Sequence, residues 1–227
     1  MHILLAAATM VEIQPTIDAL GQQVTRKDGP AILITGVGGI ATTWSLMRQF
    51  DSERPDLVIQ AGIAGCLTGN RPGEVFAISE DRLADLGVWE NEGFHSLFDM
   101  GLTQENDFPF SKGRLINPYH RLLALTGLEA VGGMTVNEIT TDTHRTHWYQ
   151  QNTNAVVESM EGGPLHYVCL QEGIPFLQLR SVSNAVGMRD KTKWEIGLAI
   201  ACLNEQLIRI IKKLESVDPS VFELSTY

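Results

Sequence analysis

Two hydrophobic periods alternate along this chain. His2–Ala8 is a continuous apolar run, the pattern of a strand covered on both faces. Val11–Leu20 changes to helical spacing. Ala31–Gly36 (AILITG) reads as a second buried strand and Gly39–Phe50 as the helix after it. Leu57–Ala61 (LVIQA) and Glu74–Ser79 (EVFAIS) are predicted as the third and fourth strands. Beyond them the pattern predicts a helix over Pro118–Thr126, a strand over Glu129–Met134 and a helix over Asp142–Gln151. A short strand over Ala155–Glu158, a helix over Met160–Glu172 and a strand over Phe176–Ser183 (FLQLRSVS) follow. Lys191–Leu214 is predicted as the longest helix. Its apolar face is Trp194, Leu198, Ile200, Ala201, Leu207, Ile208 and Ile211, and Lys212 and Lys213 suit its C-terminal dipole. Residues 80–110 are polar, aromatic and Gly-rich with no clear period, and read as an irregular functional insertion. Strands alternating with helices predict an α/β fold: one domain over residues 1–227, with a central mixed, mostly parallel sheet flanked by helices. Ligands of such sheets bind outside the carboxyl ends of the strands.

Composition narrows the function. With 227 residues, 44% hydrophobic and 19% charged, the chain can bury a full core without disulfides or metal. Aromatics at 7% disfavour an antiparallel sandwich or barrel. A formal net charge of −10 without any basic stripe argues against nucleic acid and against an anionic membrane surface as partners. No apolar run reaches the ~18–20 residues of a membrane span. The start, MHILLAAATMVEIQP, lacks a basic n-region and reads as a core strand, not a signal peptide. Cys66, Cys169 and Cys202 are odd in number and sit in apolar contexts, which fits free buried thiols and a cytoplasmic location.

Chemistry concentrates at the strand-to-helix joints. Gly36-Val37-Gly38-Gly39 closes a strand and opens a helix, where glycine lets backbone N–H groups approach a ligand or simply makes a tight turn. Ala61-Gly62-Ile63-Ala64-Gly65 is expected to repeat the device after the next strand, suggesting a backbone-lined pocket for a small polar ligand. Glu12 lies just past the first strand, Glu158 and Glu161 flank the joint V-E-S-M-E-G, and Asn184 ends R-S-V-S-N. Taken singly, such a glutamate is more often solvated than catalytic.

In order along the chain, G-V-G at Gly36, A-G-I-A-G at Ala61, V-G-G-M-T at Val131, V-E-S-M-E-G at Val157 and R-S-V-S-N at Arg180 resemble the nucleoside phosphorylase and nucleosidase family. The nearest likeness is to the methylthioadenosine/adenosylhomocysteine nucleosidase branch. There the pattern is an early Glu, a GVG turn, G-S-A-G-G, S-G-D, M-E-G and R-x-x-S-D. Two departures matter: Asn184 stands where the family has its catalytic Asp, and Gly132-Gly133-Met134 replaces S-G-D. That variant is similar to the futalosine hydrolases, which remove hypoxanthine from futalosine in a menaquinone pathway. The resemblance implies no metal or organic cofactor, and a homo-oligomer that is at least dimeric.

N-glycosidic cleavage passes through a cationic ribosyl centre and a departing purine. Glu161 suits the sugar diol, because a carboxylate accepts two hydroxyl hydrogens and offsets the developing charge, with Met160 as the apolar floor of the ribose. Glu12 can take the proton of the attacking water. Asn184 then reports the base: its amide donates to O6 and accepts from N7–H of a departing 6-oxopurine. The catalytic set is thus Glu12, Glu161 and Asn184, and the substrate-binding set expected at these motifs is Ala64, Gly65, Val136, Asn137, Met160 and Ser183. Arg48 and Arg54 fall on an outer helix and its loop and neither Gly-rich turn carries an Arg, which favours water over phosphate; Arg180 is either structural or orients the site. Arg82, His95, His144 and Arg145 are candidates for a substrate carboxylate. His144-x-x-His147 lacks an obvious third ligand, so a surface or tail-binding role is preferred to metal. Trp44, Trp148 and Trp194 are expected to pack, while Trp89 is the better ligand contact. Rival readings are an adenosine-type nucleosidase, a 6-oxopurine phosphorylase, and a nucleoside-binding protein without turnover.

Overall fold

Buried apolar runs become strands and amphipathic runs become helices in the computed structural model, which describes residues 1–21, 29–90 and 93–224. The order is β1 (Ile3–Ala7), α1 (Met10–Leu20), β2 (Ala31–Ile34), α2 (Gly39–Ser52), β3 (Leu57–Cys66) and β4 (Val75–Asp81). Then come β5 (Gly87–Glu90), β6 (Gly93–Ser96), β7 (Leu115–Ile116), α3 (His120–Thr126), β8 (Glu129–Thr135) and α4 (Thr143–Asn152). β9 (Ala155–Ser159), α5 (Gly162–Glu172), β10 (Phe176–Ala185) and α6 (Ile196–Leu214) complete the chain.

The architecture is α/β with a mixed sheet of eight strands, and the sheet curls on itself. β1 pairs in parallel with β2 and with β3, and β10 runs parallel to β3 on its other edge. β10 is antiparallel to β4, β4 parallel to β8, and β8 parallel to β9. β1 leaves β3 at Gln60, and the edge so freed takes β9 in antiparallel pairing at Gly65 and Cys66. The ring β3-β10-β4-β8-β9 is therefore closed, so the sheet is partly barrel-like where a flanked, mostly parallel sheet was expected. β3 and β10 are ten residues each, long enough for strand twist to bring different partners to their two ends. Helix α1 packs on α6, and α2 on α5.

Five sequence expectations are corrected by the structure. Ala61–Gly65 is not a turn but the second half of β3. Residues 80–110 are not irregular throughout: β4 runs to Asp81 and β5 and β6 form an antiparallel hairpin, with Asn91 and Glu92 outside the described residues. Strands of four residues are too short to show a period. Helix α6 begins at Ile196, after a short 3-10 turn over Lys191–Lys193 capped by Asp190, so Trp194 precedes the helix. Its buried face is Ala199, Leu203, Asn204, Leu207, Ile210, Ile211 and Leu214, with Leu198 exposed. The polar Asn204 hides in that face, which is why an apolar count misplaced it. Finally, Trp44 is exposed and not packed, and Cys202 is half-buried whereas Cys66 and Cys169 are buried.

Candidate active site

One cavity of about 270 Å³ opens where β1, β3, β9 and β10 end. Glu12, Glu158, Glu161 and Asn184 all line it, each at 8% exposure or less.

Glu12 is held by its own helix start. Thr9 donates to Glu12 Oε2 from its backbone N–H at 3.0 Å and from its hydroxyl at 2.9 Å, as in a capping box. Oε1 accepts the Ile63 N–H of β3 at 3.0 Å. Behind it, the buried Asn204 amide donates to the Glu12 carbonyl at 2.8 Å and accepts from the Thr16 N–H at 3.0 Å, bridging both ends of one i→i−4 step. Helix α6 thereby locks the backbone that carries Glu12.

Glu161 sits at the N-terminal cap position of α5. Its Oε1 accepts the Gly38 N–H at 3.0 Å, and its Oε2 lies 3.6 Å from Arg180 Nη2. Gly38 reaches that position at φ +90°, a conformation in which a side chain is strained. The first Gly-rich turn thus spends an N–H on a carboxylate 123 residues away. Arg180 is 1% exposed and donates to Gln60 Oε1 at 2.7 Å, while Gln60 donates to the Glu161 carbonyl at 3.3 Å. Of the two sequence readings of Arg180, the geometry supports an orienting one. Gly62 has no side chain because Arg180 crosses it: a Cβ there would come 2.2 Å from Arg180 Nη1 and 3.0 Å from Glu12 Oε1.

Asn184 follows a bulge in β10, where the register to β3 shifts between Val182 and Asn184. Bulges re-aim side chains beside active sites. Ser183 Oγ donates to Asn184 Oδ1 at 2.7 Å, and Asn184 Nδ2 donates to the Ala185 carbonyl at 2.9 Å. Across β3, Asn184 is in register with Gly65, and Gly65 is in register with Glu158. Glu158 Oε1 accepts the Thr140 N–H at 3.1 Å, its Oε2 has no protein partner, and burial pushes its carboxyl above the ordinary value.

Of the predicted substrate-binding residues, Ala64, Gly65, Met160 and Ser183 line this cavity with the catalytic trio. Val136 and Asn137 do not: Val136 is buried in a separate apolar cluster, and Asn137 binds Asp85 through its N–H at 2.5 Å. Trp194, expected to pack, is a wall of the cavity, fixed by its indole N–H donating to the Met188 carbonyl at 2.7 Å. Trp89 is not in that wall. It lies among Phe94, Trp148 and Tyr149 at 5.4–5.9 Å, with Arg145 5.3 Å over its ring and His144 edge-on at 6.2 Å. Arg82 and His95 line a second cavity of about 440 Å³. Sequence reasoning named Glu158 without a role, quoted Val37 only within its Gly-rich turn and Ile200 only within a helix face, and missed the apolar walls Ile139 and Ile196. No signal marked those walls, since an apolar residue in a loop or helix start looks the same whether it faces core or ligand.

Beneath Glu161 lies a buried polar layer. Asp81 Oδ1 accepts the Thr135 hydroxyl at 2.9 Å, and Asp81 Oδ2 and Gln178 crowd Gly162, where a Cβ would come within 2.3 Å of both. Burial pushes the Asp81 carboxyl up to about 6, against the pull of Thr135 and Arg180. Burial also brings His166 down to about 4. Among the described residues, no group of three or more His, Cys, Asp or Glu could hold a metal ion, and no helix is long and apolar enough to cross a membrane.

Comparison with known proteins places the chain in a family and a fold. The model of the phosphorylase superfamily matches residues 27–214. A futalosine hydrolase of Streptomyces coelicolor is 31% identical over 96% of this chain and 99% of its own length. A futalosine hydrolase of Thermus thermophilus is 28% identical over 81% of each chain. Among solved structures, futalosine hydrolase of Helicobacter pylori superposes with a TM-score of 0.78 at 14% identity, over 93% of this chain and 97% of that one. A methylthioadenosine/adenosylhomocysteine nucleosidase of Colwellia psychrerythraea, in complex with adenine, gives 0.77 at 18% identity over 94% and 96%. At these identities the superpositions speak for the fold, and the sequence matches for the family. The chain belongs to the phosphorylase superfamily and, within it, to the nucleosidases that hydrolyse N-glycosyl bonds.

Proposed function

We propose that this enzyme hydrolyses the N-glycosidic bond of a 6-oxopurine nucleoside, futalosine, releasing hypoxanthine and leaving dehypoxanthine futalosine for menaquinone synthesis. The observation that carries the reading is the meeting of Glu12, Glu161 and Asn184 in one cavity, with an amide and not a carboxylic acid at the end of β10.

Each group has a task its surroundings permit. Glu161 is bonded once on Oε1 and faces Arg180 with Oε2, so lone pairs remain on both oxygens for the two ribose hydroxyls. Its charge stabilises the cationic sugar as the bond to the base lengthens. Glu12, fixed on both oxygens, takes a proton from the water that attacks the anomeric carbon. Asn184 presents N–H to O6 and carbonyl oxygen to N7–H of the departing base, a pattern that adenine meets with donor against donor. None of the described side chains lining the cavity is cationic, and Arg180 is engaged with Glu161 and Gln60. Water rather than phosphate is therefore the acceptor, since phosphorolysis needs a charge-assisted clamp.

We read the chain as one cytoplasmic nucleosidase domain over residues 1–227 that works as a homo-oligomer. The exposed stripe Ile40, Trp44 and Met47 on α2, at i, i+4 and i+7, supports a partner copy there. The experiment is a base-release assay on futalosine, aminodeoxyfutalosine, methylthioadenosine and inosine, with and without phosphate. Hypoxanthine from futalosine at a rate independent of phosphate is expected. Preferential adenine release, a phosphate requirement, or tight binding without turnover would establish the corresponding rival.

A further inference from the structure

We propose that Glu158 is a second reader of the leaving base, its free carboxylate oxygen accepting the N1–H of a 6-oxopurine while Asn184 holds the O6/N7 edge. The inference rests on the 6-oxopurine reading above and adds a residue to it.

The argument begins with strand register. Glu158 on β9 and Asn184 on β10 both pair with Gly65 on β3. Paired residues on adjacent strands project to the same sheet face, so the two side chains rise on either side of a residue that has none. Strand spacing puts their Cα atoms on the order of 10 Å apart. Gly65 is also kept bare by its surroundings, since a Cβ there would come 2.9 Å from Val186 and 3.6 Å from Asn184 Nδ2. Val186 fills the space directly over Gly65, and the two polar side chains stand to either side of it in the wall of the cavity, placed to meet the edge of a flat polar ring.

The carboxylates of the cavity are not equivalent. Glu12 has partners on both oxygens, and Glu161 has Gly38 on one and Arg180 near the other. Glu158 is held by Thr140, whose N–H donates to Oε1, and its Oε2 is buried with no hydrogen-bond partner although the residue lines the cavity. An unmatched buried carboxylate oxygen is expensive, and a ligand N–H is what satisfies it. Around its rim hypoxanthine presents N7, then O6, then N1–H. An amide suits the first two and an acceptor the third. Adenine has a lone pair at N1, which a carboxylate repels, so the same residue that favours the 6-oxopurine rejects the 6-aminopurine.

The test uses wild type, Glu158→Gln and Glu158→Leu, each checked by thermal melting. Gln keeps the bond from Thr140, and Leu keeps the bulk without an acceptor. Calorimetry with free bases comes first. Wild type should bind 1-methylhypoxanthine and adenine ~10-fold or more weakly than hypoxanthine, and the gap between hypoxanthine and its N1-methyl form should close to within ~3-fold in Glu158→Leu. In turnover, Glu158→Gln should lower the ratio of kcat/KM for futalosine to that for its 6-amino analogue by ~10-fold or more. Equal binding of hypoxanthine and 1-methylhypoxanthine by wild type, or a gap that persists in Glu158→Leu, overturns the proposal. If Glu158→Leu does not fold, the wild-type binding comparison and the Glu158→Gln ratio decide it. Failure of wild type to release hypoxanthine from futalosine overturns the functional reading instead, and the free-base binding then judges Glu158 separately.

Discussion

Two cavities of this molecule, the one that holds Glu12 and the one that holds Arg82, are built on opposite principles. The smaller is lined by strand ends and helix starts, and its glutamates are buried and tied to backbone N–H groups from distant segments. The larger is lined by β6, the segment after it and α4, with Arg82, His95, Asp99, Glu105 and Lys112 around an aromatic cluster. Charges of both signs line it, and Asp99, Glu105 and Lys112 among them are exposed. A charge in water binds its ligand weakly and adjusts to it, whereas a charge fixed in a dry pocket acts on reacting atoms without reorganising. The volume ranking of the two cavities therefore inverts their chemical ranking.

The comparison is most easily broken at Glu12. Glu12→Gln should retain ligand binding and lose ~10²-fold or more in kcat, because the amide cannot accept the proton of the attacking water. Single-turnover kinetics beside equilibrium binding check this, and near-normal turnover would remove Glu12 from the mechanism.

The buried layer under the first cavity should show in stability against pH. Asp81 holds its proton to about 6 in the fold, against 3.8 ordinarily. Its stabilising contribution is therefore complete below pH ~3.8 and lost as pH rises through ~6, at most ~3 kcal/mol. His166 works in the other direction: its pKa of about 4, against 6.5, gives stability that is present above pH ~6.5 and lost as pH falls toward ~4. Between pH 4 and 6 the two oppose each other. Asp81→Asn leaves the histidine alone, so urea titrations across that window should show the variant losing stability on acidification more steeply than wild type. Parallel profiles would remove Asp81 from the balance.

Asn184→Asp addresses the base edge. An ionised carboxylate offers O6 no donor, while a protonated one can donate to N7 of adenine. The futalosine to 6-amino-analogue ratio of kcat/KM should fall at least ~10-fold, ~1.4 kcal/mol. An unchanged ratio would mean that Asn184 does not read the base.

The smallest effect is expected in the second cavity. Arg82→Ala should change hypoxanthine release from inosine and futalosine by no more than ~2-fold, as for a residue away from the reacting groups. A rise in KM for futalosine alone would instead place the carboxylate of that substrate against Arg82 and join the two cavities into one site.

Much of this protein was legible in its order of residues. The apolar runs at His2–Ala8 and Phe176–Ser183, and the helical spacing between runs, depend on neighbours within one or two turns, and a single sequence carries that information. The identities of Glu12, Glu161 and Asn184 are equally plain in the sequence, but only the resemblance carried by the five ordered motifs gave them a sugar, a water and a purine to act on. Tertiary structure decided what depends on partners far along the chain. It turned Ala61–Gly65 from a turn into the shared strand of the site, because β1 ends early enough for β9 to take its edge. It gave the Gly38 N–H to Glu161 and the Asn204 amide to the backbone of Glu12, at separations of 123 and 192 residues. And it set Glu158 opposite Asn184 across a bare glycine. Hydrophobic periodicity is local, but strand pairing, sheet closure and the burial of a polar atom are properties of what the rest of the chain brings alongside.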